Sequence, residues 1–229
     1  MEYVKTTMID RLLSIVAPHR CSSCGEIGAI FCESCKQDII SEPPTGCVMC
    51  TRPSGKRGLC ESCARRTRIL QAWCAGERRD GLKRLIDAYK FDSSRVAASV
   101  CAELLNELVP QLPLDATVVS IPSAPRTVRA RGFDHMSRIA NEFAKMRGMQ
   151  RAYPLVRASS ATLHLLPRSE RIKLGPSLFR LSNKPVPETI LLLDDIVTTG
   201  TTLSAAANLL RDTGAKTVYA ATLARQPDD

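Results

Sequence analysis

The run ILLLDDIVTTGTT, Ile190 to Thr202, constrains the fold more than any other part of the chain. Ile190, Leu191, Leu192 and Leu193 are an unbroken apolar run, as expected of a short strand buried on both faces, and helical spacing resumes at Leu203, Leu209 and Leu210. Between strand and helix, Thr198, Thr199, Gly200, Thr201 and Thr202 place hydroxyls and unpaired backbone N–H groups at a helix start. The macrodipole favours an anion there, and Gly200 lets the backbone approach it closely. Asp194 and Asp195 cannot serve the same anion, because like charges repel. They suit sugar hydroxyls and, indirectly, a divalent cation, and are expected to be exposed at the strand end. The pattern reads as a phosphate-sugar site, with an ordinary strand-turn-helix bearing surface acids as the plainer alternative. No Gly-Lys-Ser/Thr follows Gly200 and no Gly-x-Gly-x-x-Gly follows a strand, which disfavours nucleotide hydrolysis and dinucleotide binding.

The surrounding pattern is α/β. Helices are expected over Arg79 to Phe91, with Leu82, Leu85, Ile86 and Tyr89 at helical spacing, and over Arg95 to Leu108, stopped by Pro110. A strand from Thr117 to Ile121 ends at Pro122, and a helix from Ser137 to Met146 stops at Gly148. A long polar connection leads to the Ile190 strand, a helix from Thr202 to Thr213 closed by Gly214, and a strand from Thr217 to Leu223. This alternation predicts a doubly wound parallel sheet with ligands at the carboxyl ends of its strands. The 229 residues leave room for one such domain, expected over 76–229, plus a small module over 1–75.

Eight of the ten cysteines fall in that module before residue 64, as four Cys-x-x-Cys knuckles: Cys21/Cys24, Cys32/Cys35, Cys47/Cys50 and Cys60/Cys63. Two knuckles supply the four thiolates of a tetrahedral zinc shell. No run approaches the ~18 apolar residues of a membrane span and the start lacks a signal peptide's core, so a cytoplasmic location is expected, where paired cysteines bind metal rather than each other. Pairing the first knuckle with the second and the third with the fourth closes shorter loops than an interleaved arrangement and is favoured. This double zinc-ribbon reading gives one or two structural zinc ions, each contributing about 10–16 kcal/mol of apparent binding free energy to folding. Cys74 and Cys101 lack a partner at knuckle spacing and are expected as small buried residues. Up to residue 75 the net charge is only +3, so a structural or docking role for the module is favoured over nucleic-acid contact.

Charge is concentrated elsewhere. From Arg126 to Arg180 there are twelve Lys/Arg against three Asp/Glu, a net of +9 that equals the net charge of the whole chain. A solvated face would explain the run. Its start beside a strand end favours a cationic cradle for an anion.

The paired acids followed by the Thr-rich loop resemble the 5-phosphoribosyl-1-diphosphate (PRPP) signature of the type I phosphoribosyltransferases. With the four knuckles, the Tyr89-Lys90-Phe91 triplet, the stretch from Ile121-Pro122 to Arg129-x-Arg131-Gly132-Phe133, the pattern from Thr162 to Arg171, and Phe179, nearly the whole chain resembles the ComF-family competence proteins. These are zinc ribbons fused to a phosphoribosyltransferase-like domain and associated with natural transformation. The resemblance implies PRPP and magnesium binding by Asp194, Asp195 and Thr198 to Thr202, and diphosphate contact near Ser123, Arg129 and Arg131. It also implies a mobile cover carrying Arg171, which would join the acids in any catalysis. The partners it implies are PRPP, single-stranded DNA, and a competence helicase or other DNA-processing protein. A phosphoribosyltransferase acting on an unidentified nucleobase or small acceptor, unrelated to DNA, is the alternative. Enzymes that salvage 6-oxopurines usually carry an acid at the place of Thr198; a threonine is no general base near neutral pH, so a 6-oxopurine is not the expected acceptor. Asp134 and His135 stand where many relatives have Asn-Gln, and Leu163 and Leu174 where Gln and Asn are common. His135 reads either as a donor to a diphosphate or as a surface or helix-capping residue.

Overall fold

The structure, a computed structural model, describes residues 19–92, 95–157 and 178–227. In chain order the helices are α1 (Glu33–Ser41), α2 (Glu61–Thr67), α3 (Asp80–Asp92), α4 (Arg95–Leu108), α5 (Pro125–Arg131), α6 (His135–Arg147) and α7 (Thr201–Asp212). The strands are β1 (Gln71–Glu77), β2 (Thr117–Ser120), β3 (Leu155–Arg157), β4 (Phe179–Leu181), β5 (Thr189–Val197) and β6 (Thr217–Arg225). The central sheet runs β1-β6-β5-β2 with every pair parallel.

The apolar run forms the buried strand its composition dictates: Ile190, Leu191, Leu192 and Leu193 are each 0% exposed. Burying such a side chain contributes about 1.5–3 kcal/mol. Because side chains alternate along a strand, Leu191 and Leu193 join the core of α3, α4 and α6 on one face. Ile190 and Leu192 join the core of α7 on the other. Helices on both faces of a parallel sheet are the doubly wound arrangement that the sequence predicts.

Several elements depart from expectation. β5 continues past Leu193 to Val197, because β6 extends to Arg225 and offers Thr222, Ala224 and Arg225 as partners to Asp194, Ile196 and Val197. β1, an edge strand of Gln-Ala-Trp-Cys-Ala-Gly-Glu, has neither alternation nor a β-branched residue and crosses position 75/76, where the composition changes. The polar connection after α6 holds β3 and β4, paired antiparallel. The short helix α5 fills the space after Pro122. α6 begins at His135 rather than Ser137, because Asp134 caps it by accepting from Ser137 N.

The cysteine-rich segment is built into both cores. Cys21, Phe31 and Cys35 pack with Leu82, Leu85 and Tyr89, whereas Cys47, Met49, Leu59 and Cys63 pack with Val197, Leu203 and Ala206. Arg84 donates to the carbonyls of Ser22 and Ser23, and Lys36 Nζ lies 2.9 Å from Glu103 Oε2, which fastens the first knuckle pair to α3 and α4. Asn208 Nδ2 donates to Arg66 O at 3.1 Å and Arg68 pairs with Asp212, which fastens the second to α7. Between them the chain passes the end of β6, where Arg225 Nη1 donates to Thr45 O at 2.7 Å. Among the described residues no helix is long and apolar enough to cross a membrane.

Candidate ribose-phosphate site and cysteine clusters

The two acids lie inside β5, not beyond its end, so the expectation that they are exposed is corrected. Asp194 is 7% exposed and the Asp195 side chain 14%. Asp195 Oδ2 is held by two groups, Lys90 Nζ at 2.5 Å from the last turn of α3 and His135 Nε2 at 2.8 Å from the first residue of α6. His135 is itself positioned on its other side: Nδ1 lies 3.1 Å from Ser123 Oγ, and Tyr89 donates its hydroxyl to His135 O at 2.8 Å. Ser123 donates its backbone N–H to Asp134 Oδ2 at 3.0 Å, and its hydroxyl lies 3.1 Å from Asp134 Oδ1. Of the two readings of His135, the surface or helix-capping one is overturned: it is 8% exposed, the cap is Asp134, and the ring lines the cleft beside Asp195.

These surroundings split the two acids. Burial, and next the charge of Asp195, pushes the Asp194 carboxyl well above the usual carboxylate range. Burial opposes ionisation of Asp195 too, but Lys90 and His135 outweigh it and hold the carboxyl below that range. The site therefore carries one carboxylate matched by one ammonium, with a second acid disposed to keep its proton.

The phosphate half follows at once. Thr198 is exposed, Thr199 and Gly200 are buried, and Gly200 is the N-cap of α7 with φ +66. Thr199 Oγ1 and Thr201 Oγ1 lie 2.8 Å apart. A cleft of about 160 Å3 joins the two halves, lined by Ser123, His135, Arg157, Asp194, Asp195 and Thr202 over apolar walls of Ile121, Met136 and Ile196. Arg157 also lines the cleft, although no sequence motif marks it. It comes from β3, its guanidinium sits 5.1 Å over the Phe179 ring, and its Nε is buried with no hydrogen-bond partner among the described residues.

The basic segment divides into structural and surface cations. Arg147 donates to Asn106 O, Val109 O and Pro110 O and so closes the carbonyl end of α4. Arg151 Nη1 donates to Ser137 O at 3.0 Å, with its guanidinium 4.6 Å over Tyr153. Arg126 and Arg129 are exposed on α5, and Arg131, half-buried, comes within 3.4 Å of His135 Nδ1. The structure thus brings Ser123, Asp194, Asp195 and Thr202 to one cleft, with Arg131 behind His135 at its margin, while Arg129 stands exposed on α5. Arg171 lies outside the described residues, as do Leu163, Leu174 and the stretch from Thr162.

The eight knuckle cysteines form two sets, Cys21/Cys24/Cys32/Cys35 and Cys47/Cys50/Cys60/Cys63, with the sulfurs of each set within 4.8 Å of one another. This is the sequential pairing. Each set joins one turn to the start of a short helix, with Cys32 and Cys60 as N-caps of α1 and α2. The Sγ atoms of Cys24 and Cys32 lie 3.6 Å apart, as do those of Cys50 and Cys60. Disulfides at 2.05 Å are excluded, and a tetrahedral shell with Zn–S of about 2.3 Å would set the sulfurs about 3.8 Å apart, so both sets fit zinc. Among the described residues no other group of three or more His, Cys, Asp or Glu side chains converges in this way. Cys74 and Cys101 are buried at 5% and 0% exposure.

Comparison with known proteins agrees with this architecture. A family described as "Phosphoribosyl transferase domain" matches residues 127–229. The DNA utilization protein YhgH of Salmonella typhi is 30% identical over 206 residues, covering 85% of this chain and 90% of that protein. The competence protein ComFC of Streptococcus pneumoniae is 30% identical over 144 residues, 63% of each chain, so that match spans less than two thirds of the relative. ComFC of Bacillus subtilis is 27% identical over 207 residues, covering 85% of this chain and 83% of the relative.

Proposed function

The chain belongs to the ComF family, and from that premise we propose that it binds PRPP with magnesium and takes part in natural competence, in the uptake or handling of single-stranded DNA in the cytoplasm. The observation that carries the proposal is the convergence of paired acids, a threonine-rich helix start and Arg157 on one cleft at the carboxyl end of β5. In this reading Thr198, Thr199, Gly200, Thr201 and Thr202 receive the 5'-phosphate, and Asp194 and Asp195 receive the ribose hydroxyls. Ser123, Arg131, Arg129 and Arg157 face the diphosphate, and Arg171 closes over it. Magnesium, when bound with the ligand, neutralises diphosphate oxygens and polarises the departing group. Zinc, when bound, would crosslink each set of thiolates and so add to the packing that joins the knuckles to the two cores.

Ribose binding has a cost built into it. Asp195 already has two partners, so the hydroxyls must share its carboxylate with Lys90 and His135 or displace one of them. Asp194, whose charged form burial disfavours, accepts a hydroxyl hydrogen more strongly once it ionises.

Exposed Arg126 and Arg129, with the Arg–aromatic pairs Arg138–Phe133 and Arg151–Tyr153 in the same basic stretch of sequence, support contact with single-stranded DNA. Turnover with an acceptor base is the second reading. It is favoured by the cations around the diphosphate position, which would stabilise the departing group and a ribosyl oxocarbenium. A thermal-shift titration with PRPP, magnesium, nucleobases and single-stranded DNA, followed by a diphosphate-release assay, separates the two. Binding without release supports a PRPP-responsive module; release dependent on one acceptor supports the enzyme; no response to PRPP rejects both.

A further inference from the structure

The anion-binding loop rests on the second cysteine set. Met49 stands between Cys47 and Cys50 and is 1% exposed. A Cβ on Gly200 would lie 2.5 Å from Met49 Sδ, 3.0 Å from its Cβ and 3.2 Å from its Cγ. Gly200 is thus required twice: by its φ of +66 and by the thioether pressed against its Cα. The turn that carries Met49 is closed by Cys47 N to Arg52 O and Thr51 N to Cys47 O, both at 2.8 Å, and by Val48 N to Gly58 O at 2.9 Å. Val48, Met49 and Leu59 share one core with Leu203, Ala206 and Ala207 of α7, whose first turn is the loop's own. The first cysteine set contacts other elements. Its Ser23 lies against Gly81, whose added Cβ would stand 2.4 Å from Ser23 Cβ, and Arg84 anchors it to α3.

We propose that Met49 is a positioning residue for the phosphate loop: metal in the Cys47/Cys50/Cys60/Cys63 set fixes the turn, the turn fixes Met49, and Met49 holds Gly200 with the Thr198–Thr202 backbone in its anion-binding form. The chemistry is direct. Four thiolates on one tetrahedral centre remove the freedom of the Cys47–Cys50 turn, so the contact at Gly200 is made by a rigid body rather than a surface loop. The metal status of the second set then governs the affinity for a ribose 5-phosphate group, while the first set leaves the phosphate loop unaltered. The proposal rests on the ribose-phosphate reading of the cleft.

The test is Met49→Ala, which leaves all eight thiols in place, with Met49→Leu as the conservative rescue. Zinc content, hydrogen exchange of the peptide spanning 198–203, and calorimetric affinity for ribose 5-phosphate are measured on the full chain. Met49→Ala should keep the wild-type zinc content, speed exchange at 198–203 at least tenfold with α6 unchanged, and weaken ribose 5-phosphate at least tenfold. Met49→Leu should restore both, and Cys60→Ser should reproduce the loop effect where Cys21→Ser does not. Wild-type exchange and affinity in Met49→Ala, or equal loop loosening in Cys21→Ser and Cys60→Ser, overturns the coupling. If the wild-type chain binds no ribose phosphate, the ligand reading fails while the exchange data still decide whether Met49 holds the loop.

Discussion

Lys90 Nζ lies 2.5 Å from Asp195 Oδ2, with the two side chains only 15% and 14% exposed. An ammonium from the end of α3 therefore answers the one acid of the pair that stays charged, before any ligand arrives. The two neighbouring aspartates have opposite roles in the ligand-free protein: Asp195 is a partner in a buried ion pair, and Asp194 is a buried acid without a cation of its own at hydrogen-bond distance among the described residues.

Asp195→Asn should be destabilising, because it leaves Lys90 buried beside a neutral amide. Breaking such a pair costs about 3–5 kcal/mol. Asp194→Asn should be neutral or stabilising at pH 7, since it removes a group whose charge is penalised by burial. The signs follow from the shifts. Asp195, depressed in the fold, contributes stability above about pH 3.9 that is lost as pH falls toward its folded value; Asp194, raised, opposes folding increasingly as pH climbs above about 3.9. Thermal melts of both variants at pH 4 and pH 7 measure this. Equal melting of the two at pH 7 would contradict the split.

Ligand binding should release protons. Ribose hydroxyls and magnesium favour ionised Asp194, whereas burial favours its protonated form in the free protein, so affinity for PRPP should rise as pH climbs above the usual carboxylate range. Calorimetry in two buffers of different ionisation enthalpy at pH 6 reads the release, and Asp194→Asn should abolish it. Buffer-independent heats for the wild type would show that Asp194 does not change protonation.

The sequence made some of this legible for physical reasons that particular residues illustrate. Ile190 to Leu193 announce a doubly buried strand because four aliphatic residues in a row suit no half-exposed strand, and the shorter loops closed by sequential pairing favour the chain-order sets in which the thiols are found. The burial of Asp194 and Asp195 was not legible, because it depends on β6 running to Arg225 and drawing β5 along with it. Lys90 and His135 reach Asp195 from positions 105 and 60 residues away in the chain, a meeting that no local pattern records. The signals available were weak: Lys90 follows the fully buried Tyr89 at the end of an amphipathic helix, and His135 follows a capping aspartate. β1 carries no alternation and β3 no length, and Arg157 comes from the three-residue β3.

The purified protein should contain about two zinc ions per chain. Cys21→Ser should release one and leave the second, because the two thiol sets share no ligand and grip opposite faces of the sheet. Elemental analysis of the wild type and the variant measures this; loss of both ions together, or none in the wild type with disulfides by mass spectrometry, would reject two independent centres.

If α5 contacts single-stranded DNA, affinity should fall with salt at a slope of about −0.7 per phosphate contacted, and replacing Arg126, Arg129 and Arg131 by Ala should flatten the slope by roughly two. Fluorescence anisotropy with a labelled oligonucleotide gives both slopes. Competition by PRPP is expected through Arg129 and Arg131, the two of the three assigned to the diphosphate, of which Arg131 comes within 3.4 Å of His135 Nδ1. An affinity indifferent to salt and to the triple substitution would remove α5 from the DNA surface.

The central claim, that the cleft at the end of β5 is a PRPP site, is tested most directly by titrating PRPP with magnesium into the wild-type chain and into Asp194→Asn by isothermal calorimetry. Asp194→Asn is the informative variant because it removes a charged partner of the ribose without breaking the Lys90–Asp195 pair. The wild type should bind at one site, and the variant should lose about 1.5–3 kcal/mol, tenfold or more in affinity, with its melting temperature unchanged or raised. A wild-type chain that gives no heat with PRPP, or a variant that binds it as tightly as the wild type, would contradict the assignment.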